Sequence, residues 1–168
     1  MNKTKYTFDQ IFKDITSTVT KIPKTEYQEE GDIAIIDQSK SFICGYVDDA
    51  EKICFSGEKI IFGDHTRVFK YIDFPFVIGA DGVHVLEVIN ENINPKYIYF
   101  YLLASYIPNE GYSRHFKWVK KLEFYVPGKD EQDKIVEKIE IIENQKKLLQ
   151  ENLEDLEQLF SIQLEKNF

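Results

Sequence analysis

The chain has 168 residues, the length of one ordinary domain with a short appendage, and its 43% of hydrophobic residues are enough to bury a core. It carries 21 basic and 29 acidic residues; the formal charge of −8 excludes a generally basic coat for nucleic acid, so any DNA-binding surface must be a local patch. No apolar run approaches the roughly 20 residues that span a bilayer, and the N-terminus lacks the apolar segment of a secretory signal, so a cytoplasmic protein without a membrane partner is expected.

The first elements along the chain are predicted to be one helix and then several short strands. Apolar residues recur at helical spacing over residues 8–15, behind a capping box of Thr7 and Gln10. Residues 18–31 are polar, as expected of a loop. Short apolar runs bounded by glycine, aspartate or proline then predict strands over residues 32–36, 42–47, 59–62, 68–71, 74–78 and 83–88.

A second helix and a last strand complete this part of the chain. Asn94 followed by Pro95 has the pattern of an N-cap with proline at the first helical position. A last strand is predicted over residues 119–126, where Pro127 stops it. The predicted order gives an α+β fold class, with a small mixed α/β domain over residues 1–128 that contains a mainly antiparallel sheet.

Residues 129–168 are predicted to form one long coiled-coil helix. Apolar residues repeat every seven positions in two interleaved series, which Lys146 interrupts once. The predicted dimerisation contacts are Ile135, Ile139, Ile142, Leu149, Leu153, Leu156 and Phe160. With Asp130 as N-cap, the helix would end near residue 164 and extend about 50 Å at ~1.5 Å per residue. Because this exceeds what the small domain could cover, we expect pairing with another helix; the alternative is an arm that folds back on its own domain.

The sequence carries no motif of a familiar catalytic chemistry. No glycine-rich phosphate loop is present, and Cys44 and Cys54 form no metal framework and are expected to be reduced core residues. His84 lies inside an apolar strand, where a hydrogen-bonded structural histidine is expected. The carboxylates that a metal-dependent nuclease would need match no specific spacing; they are Asp64, Asp73, Asp81 and Glu58 beside Lys59. We therefore expect a non-catalytic domain.

Two loop-like segments gather basic and aromatic side chains. Residues 63–71 form a turn that leads into a strand, and residues 111–121 carry four formal positive charges, one histidine and three aromatic residues without an acid. Such groups suit phosphates and base edges of the major groove. Lys120 and Lys121 could equally be solvated residues of an edge strand. A third, weaker candidate is the polar tip at residues 37–41, which includes a glutamine that could pair with adenine.

Four stretches of the chain together resemble a known family. They are residues 20–27 (Thr-Lys-Ile-Pro-Lys-Thr-Glu-Tyr) with Gly31 and Ile36-Asp37-Gln38, residues 63–67 with residues 74–83, residues 111–115 with Trp118 and Leu122, and Val126-Pro127 with Glu131-Gln132 and Ile135. In this order they resemble the DNA-specificity (S) subunit of type I restriction-modification systems. The first three resemble its target-recognition domain, and the last resembles the junction that opens the conserved spacer helix.

The resemblance implies separate roles for the two parts of the chain. In the family, target-recognition domains contact double-stranded DNA, while long helices pack as a coiled coil that sets the distance between two half-sites and helps to dock methyltransferase (M) subunits. A typical S subunit has two recognition domains and two spacer helices, whereas this chain has one of each. The resemblance therefore implies pairing, most simply as a homodimer on a bipartite palindrome. The alternative is a split or truncated subunit that needs a different second half.

The leading hypothesis is a non-catalytic recognition subunit that directs an adenine methyltransferase, and optionally a restriction (R) subunit, to a specific sequence. No cofactor is expected in this chain, since S-adenosylmethionine would bind the methyltransferase, and ATP and Mg²⁺ would serve the complete complex. The predicted DNA contacts are Arg67, Lys70, Arg114, His115 and Lys117, with Gln38, Ser39, His65, Thr66 and Ser113 as secondary candidates. The alternatives are a coiled-coil fragment that sequesters partner subunits without reading DNA, and a self-contained metal-dependent endonuclease.

Overall fold

The computed structural model describes residues 2–54, 57–111 and 113–167, with side chains described as far as residue 163. It divides into two compact units, Met1–Gln132 and Asp133–Phe168. None of the helices within the described ranges is long and apolar enough to cross a membrane.

Short strands make up most of the first unit. Its described residues form ten strands, which are β1 (Thr4–Thr7), β2 (Phe12–Asp14), β3 (Lys21–Ile22), β4 (Ile33–Ile36), β5 (Gly45–Val47), β6 (Lys59–Gly63), β7 (Phe69–Ile72), β8 (Phe76–Gly79), β9 (Val83–Val88) and β10 (Glu123–Val126). The helices are α1 (Phe8–Ile11), α2 (Pro95–Ala104) and α3 (Phe116–Val119), with 3₁₀ turns at Thr16–Thr18 and Lys24–Glu26. The long helix α4 (Lys129–Asn167) begins in the first unit and makes up the second.

The strands form two four-stranded sheets and one two-stranded sheet. The sheet β2-β9-β6-β7 is antiparallel throughout, and Ile61 in its middle lies opposite Lys70 on one side and Val85 on the other. In the sheet β3-β8-β4-β5, β8 is parallel to both β3 and β4, and β5 is antiparallel to β4. β1 pairs antiparallel with β10. The predicted fold class is confirmed: the fold is mixed α/β, its strands are mainly antiparallel, and a long helix ends the chain.

The two larger sheets share a core of apolar side chains. Ile36 and Ile78 come from one sheet and Ile61, Ile72 and Val85 from the other, and all five are almost completely buried. Each such side chain stabilises the fold by about 1.5–3 kcal/mol relative to an exposed one. The core therefore fixes the strands, and with them the loops that leave the strand ends.

Strand direction brings three loops to the same end of these sheets. Because β4 and β8 are parallel, residues 37–41 after β4 and residues 80–82 after β8 leave their sheet at the same end. Gly63 at the end of β6 pairs with Val83 at the start of β9, so the turn at residues 63–67 lies beside them. Three loops that are far apart in sequence are thus held together by strand pairing.

The opening helix and the last strand are shorter than the sequence pattern indicates. The opening helix ends at Ile11 instead of residue 15, because Phe12–Asp14 pairs with β9 as strand β2. The strand predicted over residues 119–126 begins only at Glu123, because the preceding residues turn as α3. The helical spacing of the first segment continues into a strand, so strand pairing overrides the local periodicity there.

The predicted helix caps have different outcomes. Asn94 caps α2 as predicted: its side-chain oxygen accepts the backbone N–H groups of the second and third helical residues at 2.8 and 3.0 Å. The prediction of Asp130 as the N-cap of the long helix is wrong, since α4 already begins at Lys129. Asp130 lies in the first turn instead, where its negative charge still favours the positive end of the helix dipole.

Gln132 holds the first turns of α4 within the first unit. Its side chain is completely buried, and Nε2 donates to the carbonyl oxygens of Asn92 and Pro127 at 2.9 Å each. Its Oε1 accepts the N–H of Asn94 at 2.8 Å. Because a buried amide is costly unless it is hydrogen-bonded, these three bonds give a structural reason for glutamine at the junction after Pro127.

Candidate nucleic-acid interface

The three segments predicted to contact DNA are joined by hydrogen bonds. The backbone N–H of His65 donates to Gln38 Oε1 at 3.1 Å, and the Thr66 hydroxyl donates to the Gln38 carbonyl oxygen at 2.5 Å. His65 Nδ1 lies 3.2 Å from the carbonyl oxygen of Ser113. We call residues 37–41, 63–67, 80–82 and 111–117 the loop cluster; Tyr112, which belongs to a predicted segment, lies outside the described residues.

Asp64 is the buried centre of the loop cluster. Its Oδ1 accepts the N–H of Phe116 at 2.8 Å, and its carbonyl oxygen accepts the N–H of His115 at 3.1 Å. Its own N–H donates to the carbonyl oxygen of Gly82 at 2.7 Å. One residue therefore ties the turn at 63–67 to two other loops. The sequence indicates no such role for Asp64, because nothing local identifies partners about 50 positions away.

The structure does not support the predicted DNA contact of His115. The residue has 0% exposure, its Nδ1 lies 2.8 Å from the Asp64 carbonyl oxygen, and its Nε2 accepts the N–H of Glu110 at 3.1 Å. A neutral ring with the proton on Nδ1 satisfies both contacts. Because both nitrogens are used inside the domain, His115 positions the loops and leaves no group for DNA.

Lys70 is likewise a structural residue and not a surface cation. Its side chain is 4% exposed, and Nζ donates to the carbonyl oxygens of Asp37 and Ser41 at 2.7 and 2.5 Å. The ammonium group thus joins the two ends of the tip at residues 37–41 by hydrogen bonds. A direct phosphate contact by Lys70 is not compatible with this position, because the charge would have to leave two hydrogen bonds to reach solvent.

The carboxylate of Asp37 is held in the ionised form at the base of the same tip. Burial alone would raise the pKa of Asp37, but hydrogen bonds from the Cys44 thiol and the Ser39 N–H, together with the positive charge of Lys70, outweigh it and lower this pKa below its ordinary value. A short loop with a fixed charge and fixed backbone groups keeps one conformation, as a base-reading surface requires.

The other predicted DNA contacts keep some exposure to solvent. Arg114 has 86% of its side chain exposed, and Lys117 is exposed and forms an ion pair with Glu110 at 2.6 Å. Arg67 has a left-handed backbone, with φ of 61°, and its guanidinium donates to the carbonyl oxygen of Ile107 at 3.1 Å. Thr66 is exposed, and the remaining candidates are half-buried: Gln38, Ser39, His65 and Ser113. These eight candidate residues remain predicted DNA contacts.

A cleft of about 380 Å³ opens at the loop cluster. It is lined by Lys24, Tyr27, Asp37, Gln38, Ser39, His65, Thr66, Gly79, Ala80 and Asp81. Lys24, Tyr27 and Asp81 are not among the contacts predicted from the sequence, although all three fall inside stretches that carry the family resemblance. Burial, and then the nearby charge of Asp37, raises the pKa of Tyr27 to about 12, so its hydroxyl keeps its proton and is a hydrogen-bond donor in the cleft.

His84 has the structural position that its apolar strand predicts. Its Nδ1 lies 3.0 Å from Asp14 Oδ2, and its ring stacks on Phe116 with 3.7 Å between ring centres. Of the candidate nuclease carboxylates, Asp64 lies near His84, with 3.7 Å between its Oδ2 and His84 Nε2. The described residues contain no group of three or more histidine, cysteine or acidic side chains arranged to hold a metal ion. The polar groups here serve the packing of the loops.

The residues predicted to mediate dimerisation lie along α4. Ile135 and Ile139 are half-buried. The other five are between 49% and 69% exposed; they are Ile142, Leu149, Leu153, Leu156 and Phe160. An exposed apolar series with a seven-residue repeat is typical of a coiled-coil helix without its partner.

A mixed α/β domain followed by a long helix is also the fold of specificity subunits of type I restriction-modification systems. The S subunit from M. genitalium matches with a TM-score of 0.64 and 16% identity over 92% of this chain and 42% of that chain. A structure addressing complex assembly and conformational transition of the type I R-M system matches with a TM-score of 0.63 and 15% identity over 88% and 40%. The HsdS subunit from Thermoanaerobacter tengcongensis matches with a TM-score of 0.56 and 14% identity over 86% of this chain and 38% of that chain.

A family model for the type I restriction modification DNA specificity domain matches residues 3–158, and the chain belongs to this family. The suspected resemblance is thereby confirmed, and DNA recognition is the role that the family implies. The chain spans about two fifths of the length of the solved structures that it matches. A comparison with curated proteins gave no match.

Proposed function

We propose that this chain is a non-catalytic DNA-recognition subunit that directs a separate adenine methyltransferase to a specific target. The observation that carries the proposal is the loop cluster. Loops from four separate parts of the sequence meet at one place, and eight of the ten predicted DNA contacts keep solvent exposure there. Loops held by a rigid scaffold are the usual position of residues that read a ligand.

The side chains of the loop cluster suit two kinds of DNA contact. Arg114 and Lys117 carry exposed charges that can neutralise phosphates, which sets affinity and its dependence on salt. The shorter polar groups at the cleft, such as Ser39 and Thr66, are suited to base edges, which set sequence preference. We therefore expect the two sets to differ in what their substitution changes.

Pairing through α4 completes the proposed recognition unit. The chain spans about two fifths of the length of the S subunits that it matches, and the apolar series of α4 is exposed in the single chain. Two copies related by a two-fold axis would present two identical loop clusters, so the expected target is a bipartite palindrome. In this assembly S-adenosylmethionine belongs to the methyltransferase, and ATP and Mg²⁺ are used by a complete complex that includes a restriction subunit.

The test is coexpression of the chain with the methyltransferase subunit encoded beside it, followed by mapping of methylated adenines across the host genome. A bipartite palindromic motif is the expected result. An asymmetric motif would keep recognition but replace the homodimer by pairing with a different second half. The absence of new methylation, with the methyltransferase folded and bound, would reject recognition and favour a fragment that sequesters partner subunits.

A further inference from the structure

Asp81 differs from the other carboxylates of the loop cluster. Asp37 and Asp64 use their side-chain oxygens for hydrogen bonds inside the domain. Asp81 lines the cleft and is exposed, and within the described part of the chain its carboxylate has no hydrogen-bond or ion-pair partner. A negative charge without a structural contact therefore stands at the cleft.

The backbone on both sides of Asp81 is held in place. The N–H of Ala80 donates to the Ile22 carbonyl oxygen at 3.0 Å, and the carbonyl oxygen of Gly82 accepts the N–H of Asp64 at 2.7 Å. Gly82 has φ of 63°, and a Cβ atom there would come within 2.7 Å of the Gln38 side-chain nitrogen. The left-handed backbone at Gly82 favours glycine, and the two backbone hydrogen bonds present Asp81 at a defined point.

The chemistry of a carboxylate restricts what Asp81 can contact on DNA. An ionised carboxylate repels phosphates and accepts hydrogen bonds without donating any. Among base edges in the major groove, the donors are the N4 amino group of cytosine and the N6 amino group of adenine. We propose that Asp81 is a specificity-determining residue that accepts a hydrogen bond from the exocyclic amino group of one cytosine or adenine in the target.

The same carboxylate would reject the other two bases at that position. Guanine O6 and thymine O4 are acceptors in the major groove, and either would face the carboxylate without a proton between them. Such a repulsive element contributes more to the difference between sequences than to the affinity for the right one. The assignment rests on the proposed function, because it assumes that the loop cluster faces DNA.

The test uses the purified complex of the full chain with its methyltransferase and duplexes based on the mapped motif. In each duplex one cytosine or adenine is replaced by an analogue that lacks the exocyclic amino group. The wild-type chain should lose roughly tenfold in affinity at the position read by Asp81, whereas Asp81→Ala should lose less than about twofold there. Asp73→Ala is the matched control, since Asp73 is also exposed but follows β7 at the end away from the turn at 63–67.

Several results would overturn the assignment. If the wild type and Asp81→Ala lost the same affinity at every substituted position, Asp81 would contact none of these amino groups. If Asp81→Ala gained affinity uniformly and the motif stayed unchanged, Asp81 would act only as a repulsive charge. Absence of any mapped motif for the wild type would instead reject the proposed function, and the assignment with it. Asp81→Asn keeps the shape of the side chain and serves as a second variant if Asp81→Ala does not fold. It should bind duplexes with guanine or thymine at the same position, because its amide can donate a hydrogen bond.

Discussion

The loop cluster and α4 use their side chains in opposite ways. In the loop cluster, the buried polar groups of Asp64 and His115 find their partners inside the same chain, and buried Lys70 on β7 donates to the tip at residues 37–41. Along residues 141–163 of α4, by contrast, every residue is exposed, leucines at coiled-coil spacing included. A closed polar network forms without a second copy, whereas an apolar series in water gains stability only by pairing. The polar network therefore needs no second copy, and the proposed pairing through α4 can be tested separately from folding.

The largest expected effect comes from charges placed in the apolar series. Leu149→Asp combined with Leu156→Asp should raise the dissociation constant of the proposed homodimer by more than ~1,000-fold, because each buried leucine contributes about 1.5–3 kcal/mol and such a dimer would bury four of them. Sedimentation over a range of concentrations measures this. Asn144→Asp with Gln158→Asp adds the same charge on the opposite face of the repeat and should leave the dimer intact. Equal weakening by both pairs would show that general charge repulsion, and not the apolar series, controls association.

The second expected effect concerns the anchor of the loop cluster. Asp64→Ala removes the acceptor for the buried N–H of Phe116 and should lower the free energy of unfolding by about 3 kcal/mol, with loss of DNA binding. Asp64→Asn keeps a side-chain oxygen at this place and should cost about 1 kcal/mol. Urea denaturation of the two variants measures the difference. If both variants lost the same stability, the negative charge of Asp64, and not its hydrogen-bond acceptor for the Phe116 N–H, would stabilise the loops.

The sequence predicted those features that depend on local pattern. The alternation of apolar runs and turn residues located β4 to β9 to within three residues, and Asn94-Pro95 located the start of α2. β10 begins four residues later than predicted, and β1, β2 and β3 were not predicted as strands. The residues whose burial the sequence did not indicate are those whose roles depend on distant partners. Lys70 and His115 have the chemistry of DNA contacts, but carbonyl oxygens at Asp37 and Asp64 bind them in the interior. No short-range pattern distinguishes a buried cation from an exposed one.

Arg114 offers a smaller and more selective test of the loop cluster. Arg114→Ala should weaken binding of the target duplex by about tenfold at low salt and reduce the salt slope by about one, if the exposed guanidinium contacts a phosphate. Lys13→Ala is the matched control, since Lys13 is an exposed cation on β2, outside the loop cluster. Binding titrations at several salt concentrations give both quantities. Relaxed preference at one base, with an unchanged slope, would instead assign Arg114 to a base edge; no change in either would remove it from the interface.

The smallest expected effect lies at the edge of the loop cluster, where His84 connects Asp14 to the core. Burial alone would raise the pKa of Asp14, but hydrogen bonds with His84 and Thr16 outweigh it and lower this pKa to about 2. Because the folded pKa lies below the unfolded one, the ionised carboxylate stabilises the fold above about pH 4, and this contribution is lost as the pH falls toward 2. Its side chain is 30% exposed, so screening by solvent reduces the contribution to about 1 kcal/mol.

Asp14→Asn should therefore be less stable than the wild type by about 1 kcal/mol at pH 5, and the difference should vanish near pH 2. Urea denaturation at several pH values measures both curves. In a His84→Phe background the same substitution should cost less, because the hydrogen bond to the ring is already gone. A difference that did not change with pH would mean that the neutral carboxyl group serves as well as the charged one. The contact would then hold the loop cluster by its geometry and not by its charge.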